Sequence, residues 1–208
     1  MKIYGDSNSG NCYKIKLTCH LLNARYDWIE VKVKDLKKKE TLYFEIIKKN
    51  PNGKIPFIEL EDDFILTESN AIINYLSYDS KLLPKNKFEI ARLQEWQFFE
   101  QYSHEPFIAV ARYIKKFLDM PANRKEEYSK LHAGGYKALS IMEKQLGQTN
   151  YLVGNNLSTA DISLYAYTHV AHEGGFDLSL YSNIQLWIKR IQSEINYIKI
   201  GIWWQNVK

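Results

Sequence analysis

The rhythm of apolar and polar positions changes sharply along the chain. Lys2 to Gly5 is a short strand candidate closed by a glycine. Ser7-Asn8-Ser9-Gly10-Asn11 follows, a cluster of turn and helix-capping residue types. From Cys12 onward, Ile15, Cys19 and Leu22 recur at helical spacing, with Leu21 beside them. Tyr26 to Val33 alternates apolar and polar positions around Trp28 and predicts a second strand. Lys37 to Lys49 carries Leu42, Phe44, Ile46 and Ile47 and predicts a short helix, which Asn50-Pro51-Asn52-Gly53 stops. Ile55 to Leu60 reads as a third strand, Glu61-Asp62-Asp63 as a tight acidic turn, and Phe64 to Leu66 as a fourth strand. A helix from Glu68 to Tyr78 has Ala71, Ile72, Tyr75 and Leu76 as its apolar stripe. The order βαβ, helix, ββ, helix predicts an open α/β sheet with helices on both faces.

The proline-broken stretch Leu82-Leu83-Pro84-Lys85-Asn86-Lys87 ends this texture, and every long segment after it has helical period. Phe88 to Leu118 reads as one long helix, bent near Glu105-Pro106 because a mid-helix proline loses a backbone bond. Arg124 to Leu146, Ser158 to His172 and Asn183 to Ser193 read as three more. The expected division is an α/β domain over residues 1–80 and an all-α domain over residues 87–208. There is no internal repeat and no low-complexity tract.

Composition narrows the possible functions. The chain has 208 residues, 45% hydrophobic and 25% charged, as in ordinary globular proteins. Fifteen tyrosines and five tryptophans supply amphipathic rings for a core or a pocket. A formal charge of +4 is too modest to imply nucleic acid and suits a small anionic ligand. Cys12 and Cys19 lie two helical turns apart, beyond the reach of a disulfide, which fits a reducing compartment and a cytoplasmic location. Met1-Lys2-Ile3-Tyr4-Gly5-Asp6 lacks the apolar run of a signal peptide. No apolar run reaches the roughly 18 residues of a membrane span, so no membrane partner is expected.

Three short segments carry candidate chemistry, and each has a plain structural explanation beside it. Pro56 opens the third strand; a cis Ile55-Pro56 bond would let Ile55 present its N–H and C=O to a ligand, and otherwise the motif is a loop-to-strand junction. Glu68-Ser69 falls at a helix start, where free N–H groups favour a ligand carboxylate. Ser69 can donate its hydroxyl there and Glu68 can accept from an ammonium; capping explains the same residues. Ser7, Ser9 and Asn11 lie at a strand-to-helix turn, the edge at which open α/β sheets bind ligands. A hydroxyl donating to a bound thiol favours its thiolate, with Ser9 the first candidate and Asn11 the second.

At this point the chain resembles a family. Tyr4 to Leu17 looks like the opening of bacterial cytosolic glutathione transferases, and Asn50 to Pro56 like their turn into a cis-proline. Thr67 to Leu76 is similar to their γ-glutamyl-binding segment, and Ser158-Thr159-Ala160-Asp161-Ile162-Ser163-Leu164 to the capping box of their helical domain. These matches run through both domains in order. The resemblance implies a thioredoxin-like first domain and an all-helical second domain. It also implies glutathione as co-substrate, no metal, and a homodimer. By resemblance, Ser9 would bond the thiolate, Ile55 and Pro56 the cysteinyl backbone, and Glu68 and Ser69 the γ-glutamyl end. Lys39, or its neighbours Lys37 and Lys38, would meet the glycyl carboxylate; a lysine run is also an ordinary solvated helix start.

The expected reaction is attack of the glutathione thiolate on a small hydrophobic electrophile, in a detoxifying role. Tyr102, Phe107, Arg112 and Tyr113 are the expected acceptor contacts, with His104 nearby and Trp203-Trp204 in an apolar tail that could fold over the cleft. Glutathione-dependent isomerisation, peroxide reduction or disulfide reduction begins with the same sulfur, and a non-catalytic glutathione-binding module is a further alternative. Tyr4 lies in the strand rather than the turn, so a tyrosine-type mechanism is not supported. Cys12 reads as helix packing, with a mixed-disulfide role as an alternative, and no Cys-x-x-Cys exists for dithiol chemistry. His169, His172 and Glu173 share a helix face; the spacing permits metal ligands, although histidines also suit a helix end.

Overall fold

The computed structural model describes residues 1–36, 38 and 41–202. They form two compact units: Met1–Ser80 together with the C-terminal segment that begins at Ile195, and Lys81–Glu194. The return of the tail to the first unit leaves no trace in the hydrophobic pattern. Ile198 is buried, and polar contacts tie the segment down: Tyr13 Oη donates to the Ile198 carbonyl at 2.6 Å, Lys16 to that of Ile202, and Asn196 Nδ2 to Asn23 Oδ1 at 3.0 Å.

The first unit runs β1 (Lys2–Gly5), α1 (Gly10–Leu21), β2 (Asp27–Glu30), α2 (Val33–Leu36), α3 (Thr41–Lys49), β3 (Phe57–Glu59), β4 (Ile65–Thr67) and α4 (Ser69–Leu76). The strand read over Tyr26 to Val33 is shorter than its alternating pattern, because Val33 already starts a helical turn. The sheet order is β2-β1-β3-β4, with β1 and β2 parallel and the other neighbours antiparallel. The parallel pair needs a crossover, which α1 supplies. Val31, Leu36, Ile46 and Phe57 form a buried cluster, with Tyr4, Ile29, Ile55 and Ile65 packed against it. Helix α1 packs on α4 and is buried almost all round, including Lys14, Lys16 and Thr18.

Register decides where the functional segments meet. Tyr4 pairs with Phe57, and Phe57 with Thr67. The C-terminal ends of β1 and β4 therefore flank the start of β3. The Ser7–Asn11 turn, Ile55-Pro56 and Glu68-Ser69 all adjoin that one end of the sheet.

The second unit contains α5 (Lys87–Phe99), α6 (Glu105–Arg112), α7 (Lys125–Leu146), α8 (Thr159–Thr168) and α9 (Ser182–Gln192). The single helix expected over Phe88 to Leu118 is broken by π-helical turns at Glu100–His104 and Tyr113–Phe117. Pro106 sits in the first turn of α6, where its missing N–H leaves no intrahelical gap. The helix expected to reach His172 ends at Thr168, and a 3₁₀ turn, Ala171–Gly174, closes on left-handed Gly175 (φ 89°). All ten residues of α8 are buried. No helix among the described residues is long and apolar enough to cross a membrane.

Candidate functional site

The turn after β1 is fixed by two carboxylates. Asp6 accepts from the N–H groups of Asn8 (3.0 Å) and Val33 (3.1 Å), and its carbonyl accepts from Ser9 N–H at 3.0 Å. Glu30, at the end of β2, accepts from Ser7 N–H (3.2 Å), Ser7 Oγ (3.1 Å), Trp28 Nε1 (2.6 Å) and Lys32. Burial alone would push the Glu30 carboxyl up; donation by Lys32, Trp28 and Ser7 outweighs it and holds the group below its ordinary value.

This frame presents Ser9, the half-buried N-cap of α1. Its Oγ accepts from Cys12 N–H at 3.4 Å, and a hydroxyl that accepts still has its own hydrogen to donate. The Cys12 thiol cannot compete as a nucleophile. It is fully buried, and burial pushes it up to about 12 against hydrogen bonds from Ser9 and Asp6. Burial of the sulfur weighs against the mixed-disulfide reading of Cys12. Burial pushes Cys19 up to about 12 as well.

The second segment is a turn of similar economy. Asn50 Nδ2 donates to the Lys54 carbonyl at 2.8 Å, and Gly53, at φ 62°, takes the left-handed conformation that a side chain would strain. Ile55-Pro56 is cis. Ile55 precedes β3, so its N–H and C=O lie outside the ladder of the sheet.

At the third segment Glu68 is exposed and holds φ 65°, ψ 113°, a rare conformation for a residue with a side chain. It is the N-cap of α4 and makes no side-chain capping bond. Ser69, 5% exposed, donates to Asn11 Oδ1 at 3.4 Å and accepts from Lys14 Nζ at 3.3 Å. Asn11 thus joins the first segment to the third.

The lysines of the next segment divide. Lys37 and Lys39 lie outside the described residues, while exposed Lys38 pairs with Asp35 at 3.1 Å. Trp203 and Trp204 also lie outside them.

In the second unit Tyr102 is 80% exposed on the first π-helical turn. Phe107 packs so closely on α7 that a methyl group at Gly134 would sit 2.3 Å from its ring. Tyr113 stacks with Phe117 at 6.1 Å between centroids. Arg112 is not a cation open to a ligand. It is buried, its Nε is 2.6 Å from Glu173 Oε2, and its guanidinium lies over Phe117. His104 is fully buried and bonds Thr168 Oγ1 at 2.8 Å.

The helix ends at Thr168, so His169, His172 and Glu173 do not share one helix face, and His172 is exposed. Glu173 binds Arg112 and Lys116. His169 donates through Nδ1 to the Tyr165 carbonyl at 2.6 Å and stacks on that ring. Burial pushes it down to about 4. Among the described residues no group of three His, Cys, Asp or Glu side chains could hold a metal ion.

The model of the glutathione S-transferase N-terminal domain matches residues 8–78, and that of the C-terminal domain residues 102–194. The chain belongs to the glutathione S-transferase family. The crystal structure of a glutathione S-transferase from Pseudomonas fluorescens [Pf-5] is 53% identical, with TM-score 0.93, over 97% of this chain and 98% of that one. One from Xanthobacter autotrophicus Py2 is 35% identical, with TM-score 0.90, over 96% of each. A probable glutathione S-transferase of Oryza sativa subsp. japonica is 26% identical over 97% of this chain and 95% of its own length. As a glutathione S-transferase the protein is an enzyme, and its family uses glutathione as substrate. The N-terminal match takes in Ser9, Asn11, Ile55-Pro56 and Glu68-Ser69 at the sheet end. Sequence reasoning missed Asp6, Glu30 and Lys14, whose importance lies in hydrogen bonds across the fold rather than in any local motif.

Proposed function

We propose that the protein conjugates the glutathione thiolate to small hydrophobic electrophiles, with Ser9 as the residue that stabilises the thiolate. The observation that carries this reading is the convergence of Ser9, Ile55-Pro56 and Glu68-Ser69 at one end of the sheet. Glutathione loses its S–H proton to solvent. The sulfur lone pair then forms a bond to carbon as the leaving group departs with its electron pair. The buried, protonated cysteines leave this chemistry to the bound tripeptide.

In this assignment Ile55 and Pro56 engage the cysteinyl backbone and Glu68 and Ser69 the γ-glutamyl end. Lys39 meets the glycyl carboxylate, and Asn11, which accepts from Ser69, is the second candidate to contact the sulfur. Acceptor recognition falls to the second unit, through Tyr102, Phe107 and Tyr113; Arg112 acts there by holding Glu173. We further assign the protein a detoxifying role in the cytoplasm and a homodimeric state.

The test is turnover of a chloronitrobenzene acceptor. Ser9→Ala should lower kcat by about a hundredfold, the usual effect of removing one hydrogen bond to a developing or stored negative charge. Unchanged turnover would remove Ser9 from the mechanism. A panel of isomerisation, peroxide and disulfide substrates separates the other reactions the same thiolate can begin.

A further inference from the structure

We propose that Lys14, buried in α1, is a positioning residue that makes Ser69 select the α-carboxylate of the γ-glutamyl group. This rests on the assignment of Ser69 to that end of glutathione. Lys14 is 0% exposed and its Nζ lies 3.3 Å from Ser69 Oγ, itself on a residue only 5% exposed. An ammonium has donors and no acceptor, so this bond runs from Lys14 to Ser69. One lone pair of the hydroxyl is thereby occupied and its hydrogen is turned away from Lys14. The Asn11 Oδ1 atom, 3.4 Å away, takes that hydrogen at a long distance. A carboxylate offers a stronger acceptor, and a short bond to it would replace the long one.

The arrangement does two things for a ligand. It turns the Ser69 hydrogen away from Lys14, where an anion can take it, and the neighbouring positive charge disfavours an ammonium there. It also sets a positive charge one hydroxyl behind the anion, in surroundings with little water to screen it. Exposed Glu68, adjacent in sequence, carries the opposite preference and suits the ligand ammonium. Together the two residues read the zwitterionic end of the tripeptide.

The test compares calorimetric Kd values for glutathione and for γ-aminobutyryl-cysteinyl-glycine, the same tripeptide without the α-carboxylate. The wild-type enzyme should bind glutathione at least tenfold more tightly. Lys14→Met should weaken glutathione binding by about tenfold, the usual effect of losing a charge-assisted hydrogen bond, and leave the analogue's Kd unchanged. Loss of both ligands by the same factor would mean that Lys14 is merely structural and would overturn the proposal. Equal wild-type affinity for the two ligands would overturn the Ser69 assignment and the proposal with it. Preserved discrimination in Lys14→Met would overturn the proposal alone. Lys14→Gln, which keeps a neutral donor, stands in if Lys14→Met does not fold, and must then show a reduced ratio.

Discussion

Helix α8 begins after Ser158 and helix α4 after Glu68, and the two starts differ in what satisfies them. At α8 the chain answers its own needs. Ser158 and Asp161 form a reciprocal capping box, and the Asp161 carboxylate accepts four hydrogen bonds, from Ser158 N–H (3.0 Å), Ser158 Oγ (2.8 Å), Leu152 N–H (2.9 Å) and Trp187 Nε1 (2.9 Å). Burial pushes this carboxyl up, and the donors pull against it. At α4 the N-cap makes no such bond, its backbone is held at φ 65°, and its side chain faces solvent. A saturated helix start serves the fold, whereas an open, strained one leaves room for a ligand.

The largest effect that probes this contrast is on stability. Asp161→Ala strands the Trp187 and Leu152 donors in a buried site and should destabilise the protein by about 3 kcal/mol or more. Denaturant unfolding measures it; a loss below about 1 kcal/mol would mean the box is not a keystone. Glutathione affinity of the folded protein should be unchanged.

The two N-cap serines sharpen the contrast next. Ser158→Ala should cost about 1 kcal/mol of stability and leave kcat alone. Ser9→Ala should show the reverse balance, with its effect on turnover exceeding that on stability. If the serines exchange these behaviours, the division between closed and open helix starts fails.

A smaller effect is expected at Glu68. Glu68→Gly relieves the positive-φ strain and should raise stability by about 1 kcal/mol, net of the entropy that glycine adds to the unfolded chain. The same change should weaken glutathione binding. Improved stability with unaltered affinity would show that the strain serves no ligand.

The smallest effect concerns acid stability. Glu59 is held down at about 2 by hydrogen bonds from Lys49 and Tyr4, against an ordinary value of 4.5. Its contribution is complete above pH 4.5 and is lost as pH falls toward 2. Its lysine partners are partly exposed, so screening keeps the effect modest and salt-sensitive. Glu59→Gln should flatten that limb of a stability-versus-pH curve.

What was legible in the sequence follows from chemistry that is local. Ser9, Ile55-Pro56, Glu68-Ser69 and the Ser158-Asp161 box each depend on turn or cap residues within a few positions. Helix periodicity likewise found α7 and α9 to within about two residues, the usual play of helix ends. The π-helical turns beside α6 were not legible, because residues suited to one helical hydrogen-bond spacing suit the next as well. Arg112 looked like a pocket cation until the fold brought Glu173 to it across a sequence separation of 61.

The amino-acid sequence by itself determined the α/β-then-helical order, the family, and the three segments expected at the glutathione site. Those depend on side-chain period and on turn chemistry, which act over a few residues. Only the tertiary structure decided that Lys14 lies buried behind Ser69, that Asp6 and Glu30 pin the Ser9 turn, and that the segment from Ile195 returns to the first unit. These are contacts between positions distant in the chain. Hydrophobic pattern places lysines and acids in solvent, and only packing shows which of them are enclosed with a partner.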